Sequence, residues 1–198
     1  MTLYNFAQRI LLPPFLALWR FKAYGKEKVP MVGPLIVAAN HASYMDPVAL
    51  GVACPRPISY MAKAELFRMP LLGPIIKRVY AYPVERGQKA STTGAIKKSV
   101  QILREGRAIG IFPQGTRVRE GQGESKAGVA LLASLADAPV VPAYIWGSQA
   151  ANRLHQIKVI FGDPIHLPAD RKATREEIAN FTQDVMNAIN ALAASVEK

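Results

Sequence analysis

Short apolar runs alternate with stretches of helical periodicity along most of the chain. A short continuous apolar run between turn signals is typical of a strand buried on both faces, whereas apolar residues three and four apart indicate a helix packed on one side. The strand pattern falls at 35–39, 57–61, 79–84, 108–112 and 139–145, and apolar residues alternate over 157–161. The helical pattern falls at 65–77 in short pieces, at 92–104, at 126–135 and from residue 174 onward.

The last predicted helix carries its own start signal. Thr174 is followed three residues later by Glu177, the spacing of a capping box, and an apolar stripe at helical spacing follows. Alternation of strands and helices, without a repeat or a linker, predicts a single α/β domain with a mostly parallel sheet flanked by helices. Functional residues of such sheets gather at the carboxyl ends of the strands.

Composition narrows the partners that this domain can have. The 198 residues include 25 Lys and Arg against 14 Asp and Glu, a formal charge of +11. A charge of this size favours an anionic partner, which means nucleic acid, an acidic membrane surface or a phosphorylated substrate. The single cysteine, Cys54, excludes a disulfide framework and a multi-cysteine zinc site. His155 and His166 lie too far along the chain from the first histidine to suggest a metal site by spacing.

The N-terminal region has the composition of a segment that lies in a membrane interface. Residues 10–19 are uncharged and apolar, but they are interrupted by two prolines and are too few to span a bilayer, which takes about 20. Arg9, Arg20 and Lys22 flank the run, together with several aromatic residues. We therefore expect a membrane-interfacial helical segment over 1–26 and the α/β domain over 27–198. The alternative is a helix that packs on the core of the protein itself.

A histidine and an aspartate follow the first buried strand. His41 lies just beyond the strand end and Asp46 comes five residues later, directly before Pro47. A neutral imidazole accepts a proton at one nitrogen while a carboxylate at the other fixes the tautomer, so the pair suits a general base and its partner. Because a proline disfavours helical geometry in the residue before it, Asp46 is predicted to fold back towards His41. The alternative is that Asp46 only caps the next helix.

Two further strand ends carry the side chains and turns that bind phosphate. Residues 112–117 read Phe-Pro-Gln-Gly-Thr-Arg, so that a tight turn precedes the hydroxyl of Thr116 and the guanidinium of Arg117. Arg86 follows the strand predicted at 79–84, and Lys126 lies at short range from the turn. The alternative for each of these cations is a solvated loop residue. The glycines at 121–128 do not have the spacing of a dinucleotide site, and no phosphate-binding Walker sequence occurs.

The motifs, in their order along the chain, resemble the four blocks of the glycerolipid acyltransferases. They are Asn-His-x4-Asp at 40–46, Tyr-Pro-Val-Glu-Arg at 82–86, Phe-Pro-Gln-Gly-Thr-Arg at 112–117 and Val-Val-Pro at 140–142, within a resemblance that covers roughly 25–165. The chain is most similar in kind to the bacterial 1-acylglycerol-3-phosphate acyltransferases. The resemblance implies that His41 is the base and Asp46 its partner. It also implies a glycerol-phosphate site made of Arg86, Gly115, Thr116 and Arg117. We expect Gln114 and Lys126, which lie close to this site in the sequence, to bind the substrate as well. The third block departs from the family, which usually has Glu where this chain has Gln114.

The resemblance also implies the reaction. A fatty-acyl group would pass from acyl-CoA or acyl carrier protein, each a co-substrate and not a cofactor, to the hydroxyl of 1-acylglycerol-3-phosphate, giving phosphatidic acid on the cytoplasmic face of the cell membrane. No covalent acyl-enzyme is expected, because a thioester is already activated. Glycerol-3-phosphate or a non-glycerol lysolipid is the alternative acceptor. Rival functions are a thioester hydrolase, which needs no strand-end arginines, and a basic membrane-binding or nucleic-acid-binding protein, which leaves the His–Asp pair without a role.

Overall fold

The apolar runs of the sequence form the strands of one sheet. The computed structural model describes residues 17–70, 73, 76, 81–84, 89–114, 128–167 and 173–196. The strands are β1 (Lys22–Tyr24), β2 (Leu35–Ala39), β3 (Ile58–Lys63), β4 (Tyr82–Val84), β5 (Ala108–Ile111), β6 (Val140–Trp146) and β7 (Lys158–Phe161). Every residue of β2 and β5 is buried, which is the reason that their sequences are continuously apolar and do not alternate.

The strand order is β1-β7-β6-β2-β5-β3-β4. Strands β2 to β6 run parallel to one another, β7 is antiparallel to β6, and β1 is parallel to β7. The predicted mostly parallel α/β sheet is therefore confirmed. We call the edge at which β2 to β6 end the carboxyl edge, and the opposite edge the amino edge. Because β1 and β7 run the other way, both begin at the carboxyl edge.

Helices cover both faces of the sheet. They are α1 (Asp46–Ala53), α2 (Ala64–Arg68), α3 (Lys89–Arg104), α4 (Gly128–Ala136) and α5 (Arg175–Ala193), and short 3-10 turns lie at Lys26–Lys28 and Ser148–Arg153. Apolar residues of α3, α4 and α5 form one core cluster with the sheet, and those of α1 form a second. The capping box of α5 is confirmed: the backbone N–H of Glu177 donates to the Thr174 hydroxyl, and the Thr174 N–H donates to the Glu177 carboxylate at 2.7 Å.

The predicted boundary between the N-terminal segment and the domain is wrong at its C-terminal part. The segment was expected to extend to residue 26, yet Lys22–Tyr24 is a strand of the sheet, paired with β7. Trp19 packs against the core cluster of α1, and its indole N–H donates to the carbonyl of Ala151 at 2.8 Å. Strand β1 supplies backbone partners to the outer edge of β7, and a three-residue strand gives too short a pattern to be recognised in a sequence. Residues 1–16 of the predicted segment lie outside the described residues.

Other element boundaries differ by a few residues. Strand β3 begins one residue later than predicted and continues to Lys63, and β5 ends at Ile111 because Phe112 already belongs to the following turn. Helix α3 begins at Lys89, three residues before its predicted start. Within the described ranges, none of the helices is both long enough and apolar enough to cross a bilayer.

Candidate active site

The loop that carries His41 is fixed to the sheet by the residue before it. Asn40 follows the last residue of β2, and its side-chain amide continues the pairing with β6. The Asn40 Nδ2 donates to the carbonyl of Ile145 at 2.9 Å, and the Ile145 N–H donates to Asn40 Oδ1 at 2.7 Å. The chain therefore leaves the carboxyl edge at a defined point, directly before the histidine.

His41 and Asp46 form the pair that the sequence predicts. His41 Nδ1 lies 2.9 Å from Asp46 Oδ2, and the same oxygen accepts the backbone N–H groups of Ala42 and Ser43, each at 2.7 Å. Asp46 is fully buried, whereas the His41 side chain keeps 18% of its surface exposed. Since these donors belong to the preceding loop and to the imidazole, Asp46 positions the loop and the ring instead of capping α1.

The backbone of Asp46 differs from the prediction. Asp46 was expected to lie outside helical geometry because Pro47 follows it, but it is the first residue of α1. A proline in the first turn of a helix removes no hydrogen bond, since the N–H groups there have no partner within the helix, and the restraint on the preceding residue is overcome. The carboxylate then lies at the positive end of the short helix dipole while its side chain reaches back to His41.

The ring of His41 is held in a single orientation. Its face stacks on Phe112, the residue after β5, with ring centroids 4.2 Å apart and an interplanar angle of 23°. A carboxylate at Nδ1 selects the tautomer that carries the proton there, which leaves the lone pair on Nε2. Among the described residues nothing donates to or accepts from Nε2. With respect to this part of the chain, the nitrogen is available to accept a proton from a bound molecule.

Gln114 connects the loop after β5 to the loop after β2. Its Oε1 accepts the backbone N–H of His41 at 3.0 Å. Because an amide oxygen accepts a hydrogen bond as a carboxylate oxygen does, the Glu that the family usually has here is not needed for this contact. A role of Gln114 in binding substrate stays a prediction.

The other predicted site residues lie outside the described part of the chain. They are Arg86, Gly115, Thr116, Arg117 and Lys126. The described strands that precede them in the chain, β4 and β5, both end at the carboxyl edge, where His41 lies. Their role in holding a phosphate stays a prediction.

The structure argues against Cys54 as a nucleophile. The residue is 3% exposed at the end of α1, and burial raises the pKa of its thiol to about 11. A thiol with this pKa holds almost no thiolate at neutral pH, and the thiolate is the reactive form. Within the described ranges, no three His, Cys, Asp or Glu side chains lie close enough together to hold a metal ion.

Two residues that the sequence did not single out complete the geometry. Asn40 fixes the start of the loop, and Phe112 fixes the plane of the imidazole. Both belong to motifs recognised in the sequence, next to residues with obvious chemistry. An amide directly after a buried strand and an aromatic residue at the neighbouring strand end were the available signals, but only the sheet order shows that β2 and β5 are adjacent.

The fold and the pair define a class of protein: an α/β domain that presents a histidine with a fixed tautomer at the carboxyl edge of a parallel sheet. Comparison with known proteins gives the family. The family model described as Acyltransferase matches residues 20–146, and the chain belongs to this family. The resemblance seen in the sequence motifs is thus confirmed.

The chain is also similar to individual proteins that are named as acyltransferases. The chain is 34% identical to the 1-acyl-sn-glycerol-3-phosphate acyltransferase of Bacillus subtilis, over 86% of this chain and 87% of the relative. It is 32% identical to a probable 1-acyl-sn-glycerol-3-phosphate acyltransferase of Mycoplasma pneumoniae, over 78% of this chain and 65% of the relative. The crystal structure of the 1-acyl-sn-glycerophosphate acyltransferase PlsC from Thermotoga maritima has a similar fold, with a TM-score of 0.71, 20% identity, and 98% of this chain and 83% of that one covered.

Proposed function

We propose that the protein transfers a fatty-acyl group from an acyl thioester to the free hydroxyl of 1-acylglycerol-3-phosphate, giving phosphatidic acid for phospholipid synthesis. The observation that carries the proposal is the fixed imidazole, with Nδ1 bound to the buried Asp46 and Nε2 available for a proton. The names of the Bacillus subtilis and Mycoplasma pneumoniae relatives support the choice of acceptor.

The reaction needs one base and no covalent intermediate. His41 Nε2 takes the proton of the acceptor hydroxyl as its oxygen attacks the thioester carbonyl carbon. Backbone N–H groups stabilise the oxyanion that forms. The carbon–sulfur bond then breaks, and the leaving thiolate receives the proton from the imidazolium, which Asp46 stabilises meanwhile. The protonated, buried Cys54 takes no part.

The acceptor phosphate is proposed to bind at the strand ends next to His41. Arg86 and Arg117 follow β4 and β5 in the chain, and both strands end at the carboxyl edge. Gly115, Thr116 and Lys126 complete the proposed set, with Gln114 beside it. A charge-assisted hydrogen bond to a phosphate contributes about 1.5–3 kcal/mol, so two forked arginines are expected to contribute strongly to the affinity for the acceptor.

The substrates also suggest where the protein works. The acceptor has an acyl chain, and the uncharged run at 10–19 has basic flanks. We propose that the protein is peripheral on the cytoplasmic face of the cell membrane, with acyl-CoA or acyl carrier protein as the donor and no cofactor.

Product identification tests the proposed reaction. Purified protein would be incubated with labelled acyl-CoA and, separately, 1-acylglycerol-3-phosphate, glycerol-3-phosphate and a non-glycerol lysolipid. We expect labelled phosphatidic acid from the first acceptor and at least tenfold less product from the others. Labelled free fatty acid as the main product would instead identify a thioester hydrolase.

Two histidine variants test the assignment of His41 as the base. His41→Ala is expected to lower turnover by roughly 10²–10⁴, the contribution of positioned proton transfer, without loss of the fold. His166→Ala is the matched control, since this exposed histidine lies at the amino edge, next to the bridge between Ile165 and Val140. If His41→Ala kept more than about a tenth of the activity, the assignment of the base would be wrong.

A conservative variant tests the phosphate site. Arg117→Lys keeps the charge but loses the bidentate fork, so the KM for the acceptor is expected to rise while the KM for the donor stays unchanged. An equal rise in the KM for the acceptor and in the KM for the donor would show that Arg117 supports the fold and does not bind the phosphate.

A further inference from the structure

Two residues that lie close together, Arg20 and Leu154, have a left-handed backbone conformation, which is unfavourable for residues with a Cβ atom. Among the described residues other than glycine, φ is positive at Arg20 (42°), Asp137 (47°) and Leu154 (53°). Aspartate visits this region readily, but a leucine rarely does. Leu154 is nevertheless held there with 49% of its surface exposed, so the strained turn presents an apolar side chain to the outside. Strain of this kind clusters at functional positions.

Arg20 and Leu154 belong to two segments that are joined by hydrogen bonds. The Ile157 N–H donates to the Trp19 carbonyl at 3.1 Å, and Gln156 Nε2 donates to the Arg20 carbonyl at 3.1 Å. The Trp19 indole bond to Ala151 adds a third link. We call the exposed surface made by Leu18, Arg20, Arg153 and Leu154 the corner. These hydrogen bonds fix the corner to the folded domain.

The corner lies at the same edge of the sheet as His41. Strand β6 ends at Trp146, and β7 begins at its partner Lys158, which in turn pairs with Lys22 at the start of β1. Because β2 and β6 are parallel neighbours, this end of β6 is the carboxyl edge. Tyr44 (80% exposed) and Val48 (46%) follow His41 along the same edge.

The described carboxylates are more numerous at the amino edge than at the carboxyl edge, where Asp46 and Glu65 lie. Six described carboxylates lie at or beside the amino edge: Glu27, Glu105, Asp137, Asp163, Glu176 and Glu177. The corner segments, 17–24 and 146–158, contain no Asp or Glu, whereas Arg20, Lys22 and Arg153 are exposed there. Exposed leucines beside arginines and without carboxylates are typical of surfaces that lie in the headgroup region of an anionic bilayer.

We propose that the corner docks on an anionic lipid bilayer, with Leu18 and Leu154 in the interface and Arg20 and Arg153 against headgroup phosphates. The carboxyl edge and His41 then face the lipid. This inference deepens the proposed reaction and rests on it, since an acceptor with an acyl chain has to reach His41 from a membrane. It adds a contact made by the folded domain to the one proposed for the N-terminal segment.

Flotation of the full-length protein with vesicles tests the corner. Vesicles of phosphatidylglycerol with phosphatidylcholine would be compared with pure phosphatidylcholine vesicles, at low and high salt. Leu154→Gly removes the apolar side chain and suits a positive φ, so we expect an equal or higher Tm together with roughly tenfold weaker binding. Arg153→Gln is expected to weaken binding about fivefold on the anionic vesicles only.

The amino edge offers matched controls. Arg175→Gln removes an exposed charge from the start of α5, and Leu135→Ala removes an exposed leucine (41%) from the end of α4, and neither should change flotation. Undiminished flotation of both corner variants would overturn the proposal. If vesicle binding held while the KM for a donor on acyl carrier protein rose, the corner would be a protein-docking surface and the proposal would again be wrong.

Failure of the docking surface and failure of the proposed reaction are distinguishable. Flotation is measured without substrates, and the same variants would be assayed with a short-chain donor and acceptor that stay in solution. We expect wild-type turnover in that assay, because none of the hydrogen bonds or ring contacts of the His41 and Asp46 side chains in the described structure involves a corner residue. A protein that floats as expected but transfers no acyl group would contradict the proposed reaction alone.

Discussion

A single oxygen of Asp46 accepts three donors, the His41 ring and two backbone N–H groups of the loop. In the Asp46→Asn variant the amide oxygen can keep these three donors, and the NH2 group takes the place of the other carboxylate oxygen. The negative charge that stabilises the imidazolium is then lost, and the histidine becomes a much weaker base. We expect kcat to fall by roughly 10²–10⁴ on soluble substrates, with a lower Tm.

The matched control for this variant is Asp184→Asn, which neutralises an exposed carboxylate on α5. It should change neither kcat nor Tm beyond a small margin. An Asp46→Asn enzyme with kcat within tenfold of the wild type would contradict the proposed role of Asp46.

Gln114 is assigned a positioning role by its bond to the His41 N–H. Gln114→Glu keeps an acceptor oxygen at this point, so kcat should stay within about threefold of the wild type. Gln114→Ala leaves the N–H without its partner, and loss of one such hydrogen bond, about 1 kcal/mol, should lower kcat by roughly five- to tenfold. Steady-state kinetics with both substrates would measure the two effects separately.

The opposite kinetic pattern would identify a different role. If Gln114→Ala raised the KM for the acceptor and left kcat unchanged, the side chain would bind the substrate, as expected from the sequence, and would not position the His41 loop.

At the residue scale, the sequence predicts which side chains carry the chemistry, but it does not predict their contacts with residues far away in the chain. His41 and Asp46 could be paired because they are close in the chain and follow one strand. The contacts of His41 with Gln114 and Phe112 join residues more than 70 positions apart in the chain, and they depend on β2 and β5 being neighbours. No spacing rule gives that adjacency, so these roles had to come from the structure.

At the scale of elements, the start of α5 is the clearest case of local control. The capping box between Thr174 and Glu177 is present as predicted. Thr174→Ala removes the hydroxyl acceptor, which costs about 1 kcal/mol of stability and lowers the Tm of a protein of this size by roughly 2–4 °C. Because α5 begins at the amino edge, kcat well below the Tm should not change.

Thermal unfolding of Thr174→Ser is the control, since serine keeps the hydroxyl and should retain most of the stability. An unchanged Tm in the alanine variant would mean that packing of α5 alone fixes its start.

Elements were predictable where burial makes a long, continuous pattern. Strands β2 and β6 are buried along almost their whole length, and both were recognised. Strand β1 is three residues long and lies at an edge of the sheet, with its middle residue half-buried and the others exposed, so it has no pattern to read. Its position depends on β7, which lies more than 130 residues later in the chain and runs antiparallel to β6.

At the scale of the whole molecule, the N-terminal region has two parts with different roles, which the sequence pattern does not separate. Trp19 is the last residue of the uncharged run at 10–19, which was predicted from its composition to lie in the membrane interface, yet Trp19 and β1 belong to the folded domain. The correction changes where a truncation should end. A deletion through residue 22 would remove the indole anchor and the first residue of β1 together with the interfacial run.

Deletion of residues 1–16 is therefore the variant that isolates membrane binding. It leaves Trp19 and β1 in place, so we expect a wild-type Tm and wild-type turnover of short, soluble substrates, with weaker flotation and lower activity on long-chain substrates. Flotation should be reduced but not abolished, because the corner at Arg153 and Leu154 remains. Deletion of residues 1–22 should in addition lower the Tm. Undiminished flotation of the shorter deletion would show that residues 1–16 do not bind the bilayer, and that the rest of the protein carries the whole membrane contact.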